Sequence, residues 1–121
     1  MSAVHKVSEK LSGRDYKEVS YQNLMLYYLQ KNGFNCSSEV NVSYDIDCDG
    51  VNVCVGWGRI DIVARGRDNL TYILELKCVP SHKYLETYRQ QLRRYLFHYD
   101  KVCVGCLIIF DGTGNSHVEF K

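Results

Sequence analysis

Two charge-bearing segments stand out where an apolar strand would be expected to run: Gly58-Arg59-Ile60-Asp61-Ile62-Val63 and, after a short turn, Ile73-Leu74-Glu75-Leu76-Lys77. Side chains along a strand alternate faces, so Glu75 and Lys77 share one side while Leu74 and Leu76 take the other. If the segments pair as a hairpin, Asp61 joins Glu75 and Lys77. Carboxylates and an ammonium then converge at one end of a small sheet. Buried unpaired charge is costly, so a cluster of this kind holds a metal, closes into an ion-pair set, or does chemistry.

The surrounding elements are predicted from periodicity. Tyr16 to Asn32 reads as a helix whose apolar stripe is Tyr21, Leu24, Met25, Tyr28 and Leu29, with Gly33 as its stop. Val40, Val42, Tyr44 and Ile46 alternate as a half-buried strand, and Asp49-Gly50 turns the chain back through Val51 to Val55. Ile60 to Ala64 is the next strand, and Gly66 to Asn69 turns into Thr71 to Val79. Pro80-Ser81 breaks the sheet and opens a helix from Lys83 to Tyr99, striped by Leu85, Tyr88, Leu92, Tyr95, Leu96 and Tyr99. The run Val102 to Phe110 is continuously apolar, as a strand buried on both faces reads. Strand, helix, strand implies a parallel crossover. The expected fold is α/β, ordered α-β-β-β-α-β, with a central mixed sheet flanked by helices.

Length and charge bound the rest. At 121 residues the chain is read as a single domain, with residues 1–13 as a polar, flexible N-terminal segment. A formal net charge of +1 gives no whole-molecule field, so a polyanion site must be a local patch. No stretch reads as a membrane span or signal peptide, so the expectation is a soluble intracellular protein without a membrane partner. Reduced thiols are the first reading of the six cysteines. Cys103 and Cys106 form a C-x-x-C inside an apolar run and read as core thiols, with an iron–sulfur site as the alternative.

Asp61 followed by Glu75-x-Lys77 resembles the signature of the PD-(D/E)XK nuclease superfamily, whose minimal core has this order of elements, so the resemblance implies a restriction-endonuclease-like core. Glu18-Val19-Ser20-Tyr21 resembles the E-x-x-Y of the GxxExxY group, although that group's leading glycine falls at Asp15 here. Arg59-Ile60-Asp61 resembles its R-x-D. Gln91-Leu92-Arg93-Arg94-Tyr95 matches the Q-x-x-x-Y of RecB-like nucleases.

The resemblance implies a metal-dependent nuclease acting on nucleic acid, DNA in preference to RNA. Asp61, Glu75 and Glu18 would supply hard oxygen ligands suited to Mg²⁺ or Mn²⁺. Lys77 would orient water or stabilise developing negative charge, with Gln91 beside it as a catalytic candidate. Arg59, Arg89, Arg93, Arg94 and Tyr95 are candidates to contact the substrate, because a guanidinium forks onto phosphate oxygens. Joining two short grooves in a homodimer is a further expectation.

Plainer readings stand beside these. Asp15 and Glu18 have the spacing of a helix cap and its partner. Glu75 and Lys77 could be a structural same-face pair, and the arginines a solvated helix face. The alternative function is a catalytically silent nucleic-acid- or protein-binding module that retains the nuclease fold.

Overall fold

In the computed structural model, which describes residues 2–79, 83–99 and 101–121, a five-stranded mixed sheet carries helices on both faces. The elements are α1 (Ser2–Lys10), α2 (Glu18–Lys31), β1 (Asn35–Cys48), β2 (Val51–Arg65), β3 (Thr71–Cys78), α3 (Leu85–His98), β4 (Val104–Phe110) and β5 (Ser116–Phe120). Spatial order follows chain order: β1, β2 and β3 are successively antiparallel, β3 and β4 are parallel through the α3 crossover, and β5 returns antiparallel to β4. The fold class is the one the strand and helix patterns imply.

Two apolar clusters cover the sheet. On one face Tyr21, Met25 and Leu29 of α2 pack on Ile62, Leu74, Leu76 and Ile108. On the other, Leu92 and Tyr95 of α3 pack on Val42, Ile60, Ile73, Leu107 and Ile109. Burial of these apolar side chains is the main stabilising term, at roughly 1.5–3 kcal/mol for each fully buried Val, Leu, Ile or Met.

The structure departs from the sequence reading in several places. Residues expected to form a flexible N-terminus instead include α1, which buries Ala3, Val4 and Val7 in the α2-side core. Val51 to Val55 and Ile60 to Ala64 are a single long strand, β2, because β1 pairs along nearly its whole length. The last strand starts at Val104, leaving Val102 outside it and exposed. β5 adds an edge strand. The Pro80-Ser81 break lies outside the described residues.

Candidate functional site

The Asp61 end of β2 is built by an interruption in strand regularity. Alternate strand residues normally share a face, yet Ile60 packs under α3 while Ile62 packs under α2. The partner strand shows the same break: pairing steps from Ser38↔Ile62 to Val40↔Ile60, and the intervening Glu39 has φ 53°. On the other side, the β2–β3 ladder ends at Ile62↔Leu74. Continued in register, the next pair would be Asp61 opposite Glu75. There the Asp61 side chain takes over from the ladder, its Oδ2 accepting the Leu76 N–H at 2.7 Å.

Glu75 is only 2% exposed, and its Oε2 has no hydrogen-bond partner. Its side chain lies within hydrogen-bonding reach of Asp61. Burial first, then the bond to Asp61 and the nearby carboxylate charge, push the Glu75 carboxyl up to about 9. Lys77 opposes this shift, and its ammonium sits 5.2 Å from the centre of the Tyr88 ring.

Glu18 reaches the same place from α2. No side-chain cap bond forms at the start of this helix, whose N-cap is Lys17, so the Asp15–Glu18 capping arrangement is not present. The Glu18 carboxylate instead lies near the Cys78 backbone amide at the end of β3 and feels the charges of Lys77 and Asp61. Burial raises its carboxyl pKa, Lys77 lowers it and Asp61 raises it.

The α3 residues divide by what they touch. Gln91 Nε2 donates to the Tyr95 hydroxyl at 2.9 Å, and that hydroxyl donates to the Arg59 carbonyl at 3.0 Å. Burial and the charge of Glu75 raise the Tyr95 phenol well above its ordinary value. Arg89 forks onto Glu119 at 2.7 and 2.6 Å, and this pairing holds the Glu119 carboxyl down at about 2. Arg93 pairs with Glu86 at 3.1 Å, whereas Arg94 lies 5.8 Å over the Tyr44 ring. Arg59 is exposed.

Tyr44 and Gly58 are neighbours of the site that sequence reasoning missed. A Cβ at Gly58 would collide with the Tyr44 hydroxyl and stand 2.5 Å from Tyr95 Cε1. The legible signal was Gly56-x-Gly58 inside a strand, where glycine marks close approach. Replacing Gly58 with alanine is expected to cost roughly 1–3 kcal/mol, as overpacking does, by pushing both rings away. Urea denaturation measures it, and a loss near zero would mean the rings are not held there.

Among the described residues, no group of three or more His, Cys, Asp and Glu side chains stands ready as a metal cage. A magnesium-type ion does not require one, because it keeps several waters and takes one or two carboxylates. The unpartnered Glu75 Oε2 beside Asp61 fits such an ion: a cation would satisfy the oxygen and relieve the crowding of the two acids. The C-x-x-C divides between a partly buried Cys103 and a buried Cys106 whose thiol is pushed up to about 12 by desolvation.

The model describing the PD-(D/E)XK nuclease superfamily matches residues 1–121. Among solved structures, the protein SSO0001 superposes with a TM-score of 0.60 at 25% identity, over 80% of this chain and 47% of its own. The chain thus spans about half the length of that protein. Comparison with the curated proteins finds no match.

Proposed function

This chain belongs to the PD-(D/E)XK nuclease superfamily, and we propose that it is a divalent-metal-dependent nuclease that hydrolyses phosphodiester bonds, preferentially in DNA. The observation that carries this reading is the buried Glu75 carboxyl, held against Asp61 with one oxygen unpartnered and Lys77 next but one along the strand. A purely structural cluster would be expected to satisfy that oxygen.

Asp61 and Glu75 would hold Mg²⁺ or Mn²⁺, with Glu18 close enough to bind through water. When bound, the ion polarises the phosphate and offsets charge in the transition state. Lys77 orients the attacking water and stabilises negative charge growing on the phosphate oxygens. Tyr95 is a positioning residue: through the Arg59 carbonyl it fixes β2, and Gln91 fixes its hydroxyl. Arg59 and Arg94 are the arginines best placed to contact phosphate, since Arg89 and Arg93 are engaged by acids. The GxxExxY group is the subfamily we propose, on Glu18, Tyr21 and the Arg59-Ile60-Asp61 run.

Glu18→Gln tests the reach of the site. It is expected to change stability by less than about 1 kcal/mol, as typical partly exposed substitutions do, while lowering cleavage at limiting metal. Thermal unfolding and a metal titration of the cleavage rate separate the effects. A variant that unfolds readily but, once folded, cleaves like the wild type would make Glu18 structural. Incubation of the protein with Mg²⁺ or Mn²⁺ and labelled DNA or RNA tests the activity itself.

A further inference from the structure

From Val51 to Ile60, β2 pairs with β1 and, among the described residues, with no second strand, so its other edge is open beside the Asp61–Glu75 pair. Gly58 opens towards Tyr44 and Tyr95 on the α3 side, so its neighbours Trp57 and Arg59 point to the opposite, α2 side. That is the side from which Glu18 reaches the site. Pairing is regular here, with Trp57 opposite Ser43 and Arg59 opposite Asn41. Strand geometry sets Trp57 and Arg59 about 6.6–6.8 Å apart, and Trp57 roughly 13 Å along the strand from Asp61.

Trp57 is the chain's single tryptophan, and it is 68% exposed. Its neighbours cannot cover it: Ser43 across the ladder is small, and Gly56 and Gly58 present no side chain. Arg59 is exposed as well, and its guanidinium has no hydrogen-bond or ion-pair partner among the described residues. An open ring and an open cation thus stand one strand repeat apart, on the strand that supplies Asp61. These are the two parts of a single-strand site, in which a base stacks on the ring and a phosphate pairs with the cation.

The acids of the hairpin set the limit of this row. Asp45 lies on the same face as Trp57, held by the Ser43 hydroxyl at 2.6 Å, and Asp47 and Asp49 follow towards the tip. They repel phosphate, so a nucleic-acid backbone keeps to the Arg59 side and an uncharged base meets Trp57. Inside a duplex each base face is covered by its neighbours in the stack. Only an unpaired base offers a face to the indole.

We infer that Trp57 is a stacking platform for an unpaired base, with Arg59 on the adjoining phosphate, which makes single-stranded DNA the substrate class of this site. The inference rests on the nuclease reading for where the strand leads, but its test reads binding and not cleavage. With one tryptophan in the chain, its fluorescence reports on Trp57 alone. In excess chelator, oligothymidylate should quench that fluorescence, while a duplex and an abasic strand of the same length should quench it little. Trp57→Ala should weaken binding of labelled oligothymidylate about 5–150-fold with the fold intact by circular dichroism, and Trp57→Phe should recover most of that loss. Arg59→Ala should instead reduce the salt slope of binding by about 0.7, the share of one phosphate in a single strand, a slope that Trp57→Ala leaves unchanged. Tryptophan fluorescence unmoved by oligothymidylate, an abasic strand bound as tightly, wild-type affinity in Trp57→Ala, or a salt slope that Arg59→Ala does not change would each overturn the inference and leave the nuclease reading standing. Quenching as expected in a protein that cuts no substrate with either ion would overturn the nuclease reading and leave the stacking site standing.

Discussion

Lys77→Ala is expected to cripple cleavage while leaving the divalent ion bound. Lys77 lowers the pKa of its acidic neighbours Glu18 and Glu75, so its ammonium acts on the carboxylates that would hold the ion. Removing that positive charge takes away a repulsion, and metal affinity should hold or rise. The chemical step should slow by about 10²–10³-fold, the usual cost of losing one positioned donor at a developing negative charge. Asp61→Asn should fail by another route. It removes a charged ligand, so the ion binds more weakly and the Leu76 N–H keeps only a neutral acceptor. Isothermal titration with Mn²⁺ and single-turnover cleavage distinguish the two variants. Wild-type cleavage by Lys77→Ala would make the lysine structural and the proposed mechanism wrong.

The second large effect concerns Glu75 and pH. Its folded pKa of about 9 lies far above its ordinary 4.5, so the folded state retains a proton that the unfolded chain has released. The associated stability is fully present below about 4.5 and is lost as pH rises towards 9. Metal-free protein should therefore melt at progressively lower temperature between pH 5 and pH 9, by roughly 3–5 °C for each kcal/mol lost, between the values for smaller and larger domains. Bound metal displaces the proton, so Mg²⁺ or Mn²⁺ should stabilise the fold most at the alkaline end. Glu75→Gln keeps the shape without the ionisation; its metal-free stability should fall much less across this window, leaving the smaller share of Glu18, and its cleavage should be lost. A wild-type melting temperature that rises steadily from pH 5 to pH 9 without metal would show that the carboxyl is not held protonated. Such a cost is common where a fold retains a polar group for function rather than for stability.

Much of this arrangement is legible from the residues. Strand alternation alone puts Glu75 and Lys77 on one face, and the apolar stripe of α3 is the one the structure buries. The parallel β3–β4 pairing follows from the helix between them. The misses have physical causes. α1 is nine residues long and mostly polar, so its Ala3–Val4–Val7 stripe gains weight only once α2 and the sheet are there to receive it. Glycine weakens a strand locally, so the pattern divides β2 at Gly56-Trp57-Gly58, whereas in the fold the missing side chains make room for Tyr44. The switch of face at Asp61 leaves no trace in hydropathy, since isoleucine flanks it on both sides. Arg89 illustrates the opposite limit: a basic helix face gives no hint that β5 will supply Glu119 as a partner.

The most direct test of the central claim is cleavage of labelled single-stranded, duplex and branched DNA, with matched RNA, by purified wild type and Asp61→Asn in parallel. The nuclease reading requires products from at least one substrate with Mg²⁺ or Mn²⁺, none in excess chelator, and none from Asp61→Asn with the ion present. Cleavage that persists in chelator or survives in Asp61→Asn, or a wild type that binds nucleic acid yet cuts none of these substrates with either ion, would contradict it.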